Sequence, residues 1–135
     1  MYDFVFVVLV YRNTNDLREF FDNLNIENSK IIVVNAYYDD LSKHEFEEIS
    51  NVHQADFINI ENKGYGYGNN KGIDHAIKNY KFKYLVISNP DVCIKHLHIK
   101  QLKDTHITAP AIVTLNGKHQ NPYLPYHWQW YENLK

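Results

Sequence analysis

The sequence holds a single cysteine, Cys93, so no internal disulfide can form and the chain reads as one made for a reducing compartment. It has no basic surplus: 14 Lys and Arg stand against 16 Asp and Glu, a formal net charge of -2. That excludes the electrostatic footprint of a nucleic-acid binder. No apolar run approaches the roughly 18 residues that cross a bilayer. The longest near the start, Phe4 to Tyr11, is too short and lacks the basic leader of a signal peptide. There is no repeat and no low-complexity tract. These absences point to a soluble cytoplasmic domain without a transmembrane segment. Peripheral association with the inner face of a membrane is left open.

What is present suits one domain with a real core: 135 residues, 44% hydrophobic and 15% aromatic. Strand and helix patterns alternate. Residues 4–10 form a continuous β-rich apolar run, as in a strand covered on both faces. Thr14 or Asn15 can cap the next helix, whose stripe is Leu17, Phe20, Phe21 and Leu24. Residues 31–34 read as a second buried strand. A second helix is expected from Ser42, with Ser42 and Glu45 at capping-box spacing and Leu41 stapled to Phe46. Residues 57–60 and 84–87 read as the third and fourth strands. Between them lies a helix beginning near Asn69 or Asn70, with Ile73, Ala76, Ile77 and Tyr80 on one face. A short helix over 94–104 and a fifth strand over 107–113 complete the pattern. Repeated β-α units predict an α/β, three-layer fold with a mostly parallel sheet. Residues 1–115 are expected to form this domain. Residues 116–135, aromatic and irregular from Asn121 to Tyr131, form a segment meant to pack on something else.

In an open parallel sheet, ligands bind outside the carboxyl ends of the strands. Four consecutive strand ends deliver polar loops there. These are Tyr11-Arg12-Asn13, the stretch from Asn35 to Asp40, the stretch from Asn62 to Asn70, and Asn89-Pro90-Asp91. In the third loop Gly64, Gly66 and Gly68 can take positive φ and bring backbone close to a ligand. The following helix would aim free N–H groups at a nucleotide or its phosphates. The spacing is neither the dinucleotide fingerprint nor a P-loop, and taken alone it is equally an ordinary turn. Asp91, just past a buried strand, can bind a hard divalent cation, although Asn-Pro-Asp is also common turn chemistry. Asn35 could read a pyrimidine edge, and Asp39 or Asp40 could accept from a ribose hydroxyl. Either acid could equally cap a helix. Eight histidines lack zinc-site spacing, His96 and His98 included. Cys93 is expected as a buried small hydrophobe, and Trp128 and Trp130 as packing residues.

In order, these segments resemble the family 2 glycosyltransferases of GT-A (Rossmann-like) fold, especially rhamnosyltransferase-like members of bacterial polysaccharide synthesis. The strings that carry the likeness are residues 8–13, 31–35, 61–73 and 85–92, with 109–112 and 116–122 following. The ordered pair of Asn-Lys-Gly-x-Gly-x-Gly-Asn-Asn-x-Gly-Ile and Asn-Pro-Asp is the most specific part. The resemblance implies transfer of a sugar from a UDP- or dTDP-sugar to a polysaccharide or glycolipid acceptor. Tyr11 and Asn13 would line the base pocket. Asn35 stands where the family usually has an aspartate that bonds the base. Asn62, Gly64, Gly68, Asn69 and Asn70 would wrap the nucleoside and diphosphate. Asn89 and Asp91 would be a variant of the Asp-x-Asp motif, with Asp91 holding Mn2+ or Mg2+. The family's acceptor base lies well downstream of the metal motif, so the acceptor-binding half and a catalytic base are expected to be missing from this chain. The competing readings are a non-catalytic nucleotide-sugar-binding or assembly module, and a response-regulator-like domain. The latter lacks its acids after the first strand.

Overall fold

A computed structural model describes residues 1–37, 39–95, 97–102 and 107–119. The chain divides into two compact units, Met1–Ile99 and Lys100–Lys135. The first unit runs β1 (Tyr2–Val10), α1 (Thr14–Asn23), β2 (Ser29–Ala36), α2 (Asp40–Val52), β3 (Asp56–Ile60), α3 (Tyr65–Asn79) and β4 (Phe82–Ser88). The strands lie in the order β3-β2-β1-β4, and every pair is parallel. The fold is therefore α/β with a parallel sheet, as the alternating pattern predicts.

β1 is the centre of the core. Val5, Phe6, Val7, Val8 and Val10 are all fully buried, which a strand covered on both faces requires. Val5 and Val7 cluster with Ile32 and Val34 of β2 and with Ala76 of α3. α1 and α2 pack on each other on the opposite face, which makes three layers, as the right-handed crossovers usual between parallel strands would have it. There Leu17, Phe20, Phe46 and Ile49 are buried. Each such apolar side chain contributes about 1.5–3 kcal/mol on burial.

α3 lies close on the sheet because its inner face carries glycine. A Cβ at Gly72 would stand 2.3 Å from Val7 Cγ1 and 2.9 Å from Val34 Cγ2; one at Gly68 would stand 2.5 Å from Leu9 Cδ1. The chain winds from β1 to β2 to β3, then returns through α3 to place β4 on the other side of β1. The winding reverses between β1 and β4, so their loops part at the carboxyl rim. That is the usual ligand crevice of an open α/β sheet.

Several sequence expectations are corrected. The cap of α1 is Asn13, not Thr14 or Asn15: its extended backbone lets the side-chain oxygen accept from Asn15 N–H at 3.2 Å. α2 begins at Asp40 rather than Ser42, because Asp39 caps it by accepting from Ser42 N–H at 2.8 Å. Leu41 is 79% exposed, so it staples nothing. α3 begins at Tyr65, four residues early: Gly66, Gly68 and Asn69 are helical, with Gly68 and Asn69 buried against the sheet and Gly66 exposed. Of those three loop glycines only Gly64 has positive φ, at 96°. Ile77 is exposed, and the buried face of α3 is Gly68, Asn69, Gly72 and Ala76. Cys93 is exposed, not buried.

Within 94–104 the described residues form only a 3-10 turn, Ile99–Gln101. In the second unit no strand forms over 107–113. A single antiparallel bridge joins Val113 to His119, around a turn in which Thr114 N–H donates to Lys118 O. Its sheet partners are local, so the apolar run has no parallel neighbour to extend it. Tyr38, His96 and the aromatic stretch with Trp128 and Trp130 lie outside the described residues.

Candidate functional site

The carboxyl rim gathers the loops that the sequence singles out. The register sets Val10, Asn35 and Asn59 in one row across β1, β2 and β3, and Val8 beside Ser88 of β4. Tyr11, Asn35, Asn62, Gly64 and Asn89 therefore all lie at or just past this edge. Gly68 and Asn69 sit on the face of the sheet that α3 covers. Asn35 shares its side with Val10, on the α1 and α2 face.

The residues differ sharply in how they are held. Asn35 is 1% exposed. Its Nδ2 donates to Asn59 Oδ1 at 2.8 Å, and its own Oδ1 is buried without a hydrogen-bond partner among the described residues. Asn69 is also buried with Oδ1 unpartnered. An orphaned buried acceptor costs about 1–3 kcal/mol, so two at one rim call for a reason beyond packing. Asn13 and Asp39 are engaged as helix caps. Asn62 Oδ1 accepts from Gly64 N–H at 3.1 Å, which shapes the entry to α3. Asn70 is exposed on α3. Tyr11 is 45% exposed, with the Arg12 guanidinium 5.1 Å from its ring centroid. Arg12 itself takes a φ of 67°.

One contact that joins two of the loops could not be read from residue spacing. The Tyr65 hydroxyl, at the first position of α3, donates to Asn89 Oδ1 just past β4, at 3.1 Å. Asn59, exposed on β3, is the other unexpected member, through its bond to Asn35. Strand register brings Asn59 beside Asn35 and the α3 crossover brings Tyr65 beside Asn89; neither pairing is visible in residue spacing.

Asp91 is exposed and makes no hydrogen bond or ion pair with the described residues. No group of three or more His, Cys, Asp or Glu side chains among the described residues could hold a metal ion. No described helix is long and apolar enough to cross a membrane. A depression among the described residues lies elsewhere. It is lined by Arg18 and Asp22 of α1 with Ile49, Val52 and His53 at the end of α2, toward the amino ends of the strands. The residues that line it lie away from the loops at the carboxyl rim.

No protein-family model and no curated protein matches the chain. Among solved structures, it is similar to the mannosyltransferase PcManGT from Pyrobaculum calidifontis, solved in complex with GDP-Man and Mn2+, with a TM-score of 0.50 and 17% identity. That alignment covers 65% of this chain and 27% of the other. S. aureus TarS 1-349 aligns with a TM-score of 0.44 and 15% identity, over 66% of this chain and 27% of that one. The chain thus spans about a quarter of the length of each. At this identity the likeness speaks to architecture alone: the chain has a Rossmann-like α/β fold of GT-A type, as that mannosyltransferase does over the aligned part.

Proposed function

We propose that this chain is the donor-binding part of a metal-dependent family 2 glycosyltransferase, rhamnosyltransferase-like, which binds a nucleoside diphosphate sugar for transfer to a polysaccharide or lipid-linked acceptor. The observation that carries it is the convergence of the loops after β1, β2, β3 and β4 on one rim, around the point where the winding reverses. The mannosyltransferase of similar fold was solved with GDP-Man and Mn2+, which supports the class of ligand. The ordered strings at 61–73 and 85–92 support UDP or dTDP as the nucleotide.

The site's donors fit a divalent cation only in company with a ligand. Asp91 offers one exposed carboxylate, while the Asn89 carbonyl oxygen accepts from Tyr65. Diphosphate oxygens would have to complete the shell. Bound there, Mn2+ or Mg2+ would offset charge on the leaving nucleotide. The chain's own residues bind and orient. Tyr11 and Asn13 flank the base, Asn35 and Asp39 meet the nucleoside, and Asn62, Gly64, Gly68, Asn69 and Asn70 border the diphosphate. No residue here is assigned as the acceptor base.

A second reading, a non-catalytic nucleotide-sugar-binding or assembly module, is favoured by the single carboxylate of Asn89-Pro90-Asp91, where Asn89 stands in place of the motif's first acid. Thermal unfolding with UDP, dTDP and GDP, each with and without Mn2+, tests both. Ligand at about 100 times its Kd adds about 2.7 kcal/mol of stability. The proposal expects Mn2+-dependent stabilisation that Asp91→Ala abolishes. Stabilisation indifferent to Mn2+ and to Asp91→Ala favours the second reading. No response to any nucleotide defeats both.

A further inference from the structure

We propose that Tyr65 is a positioning residue of the donor site, which fixes the Asn89 carboxamide so that its N–H2 group, not its oxygen, faces the ligand. The inference rests on the reading of the rim as a nucleoside diphosphate site and goes beyond it. A carboxamide presents an acceptor at one end and two donors at the other, and rotation by half a turn exchanges them. An exposed Asn at a strand end has no reason of its own to choose. Here the choice is made. The Tyr65 hydroxyl donates to Asn89 Oδ1 at 3.1 Å, while Asn62 Oδ1 holds Gly64 N–H at 3.1 Å and so sets where α3, and with it Tyr65, begins. Ser88 adds a brace: it is 8% exposed, and its hydroxyl donates to the Asn89 backbone carbonyl at 3.0 Å.

The chemical consequence separates the roles of the two polar residues in Asn89-Pro90-Asp91. Asn89 Nδ2, with its carbonyl engaged, is a donor suited to an anionic phosphate oxygen. Asp91 alone is the group suited to a cation. An amide next to the carboxylate therefore contributes to anion binding and not to the cation's shell. Tyr65 is 58% exposed, so it is not a core residue whose loss would unfold the chain.

The test is a double-mutant cycle on the full chain, with Tyr65→Phe, Asn89→Ala and the double variant. It is read by calorimetric titration of UDP, dTDP and GDP in turn with Mn2+, and by Mn2+ binding alone from its electron paramagnetic resonance signal. Tyr65→Phe is expected to weaken the diphosphate by about 2- to 10-fold, the net worth of one hydrogen bond. It should leave unfolding temperature and nucleotide-free Mn2+ binding unchanged, and have no further effect in the Asn89→Ala background. An unchanged affinity overturns the proposal. So does an equal loss in both backgrounds, which would make Tyr65 a direct contact, and so does any change in Mn2+ binding without nucleotide. A wild-type chain that binds no nucleotide overturns the donor-site reading and this inference with it; binding that Tyr65→Phe leaves intact overturns this inference alone.

Discussion

The two ends of the sheet handle polar groups in opposite ways. At the amino ends of β2 and β3, one carboxylate is saturated. Asp56 accepts from Lys30 Nζ at 2.8 Å, and from His75 Nε2 at 2.7 Å and the Tyr80 hydroxyl at 2.5 Å on its other oxygen. Lys30 donates again to Gln54 O, and Tyr80 packs edge-on against Tyr2. Burial favours the neutral form of Asp56, but the bonds from Lys30, Tyr80 and His75 outweigh it and hold its carboxyl below the usual carboxylate range. Burial first, and then Asp56, pushes the Tyr80 phenol well above its ordinary value. At the carboxyl ends, by contrast, Asn35 and Asn69 bury oxygens with no partner, and Asp91 stands exposed. One end closes the fold by tying the end of α3 to β2 and β3. The other leaves polar capacity unspent, which is what a binding rim needs.

The sharpest way to break this contrast is Asp56→Asn. It leaves Lys30 without its counter-charge, with the Gln54 carbonyl as its remaining partner, and should cost about 2–3 kcal/mol, less than the roughly 3–5 kcal/mol of broken buried pairs because Asp56 and its partners are partly exposed; urea denaturation measures it. The same pair carries a pH dependence. Because Asp56 titrates lower folded than unfolded, its stabilisation is present above the unfolded carboxyl pKa of about 3.9 and is lost as pH falls through the folded value. Asp56→Asn should flatten that acid limb. A variant that loses no stability, or keeps the limb, would erase the proposed role of the amino end.

Next in size is Gly72→Ala. Its new Cβ meets Val7 and Val34, β-branched residues on two central strands, and overpacking of this kind costs about 1–3 kcal/mol. Gly68→Ala should cost less, under about 1 kcal/mol, because only the end of the flexible Leu9 side chain stands in its way and alanine favours the helix. Equal effects from the two would place the tight contact elsewhere. Smallest of all is Asn35→Val, expected within about 1 kcal/mol of the parent, since it removes an unpartnered acceptor along with one hydrogen bond to an exposed Asn59. A loss as large as that of Asp56→Asn would show the two ends to be alike.

Periodicity carried most of the architecture. Residues 4–10 and 31–34 are apolar without alternation, which only a strand buried on both faces tolerates, and β1 and β2 contain them. The stripe at Leu17, Phe20 and Phe21 is buried as its spacing demands. The misreadings share a cause: a residue can serve two purposes that composition does not separate. Gly66 and Gly68 look like a loop and are helix; Gly68 serves close approach to Leu9 rather than turning, and Gly66 stands exposed. Ser42 looks like the start of α2, but Asp39 caps that helix three residues earlier. The run 107–113 has strand composition, but a strand needs a neighbour. So local patterning determined on its own the four strands and three helices of the first unit, and that their loops are polar at one end, because which side chains a helix or a strand buries is a local constraint; over 94–104 and 107–113 the same patterning overshot. Which oxygens are left unpartnered, that Tyr65 meets Asn89, and that Asp56 gathers three donors were decided only in the folded chain, because each joins residues more than fifteen positions apart whose meeting depends on strand register and on the side to which α3 crosses.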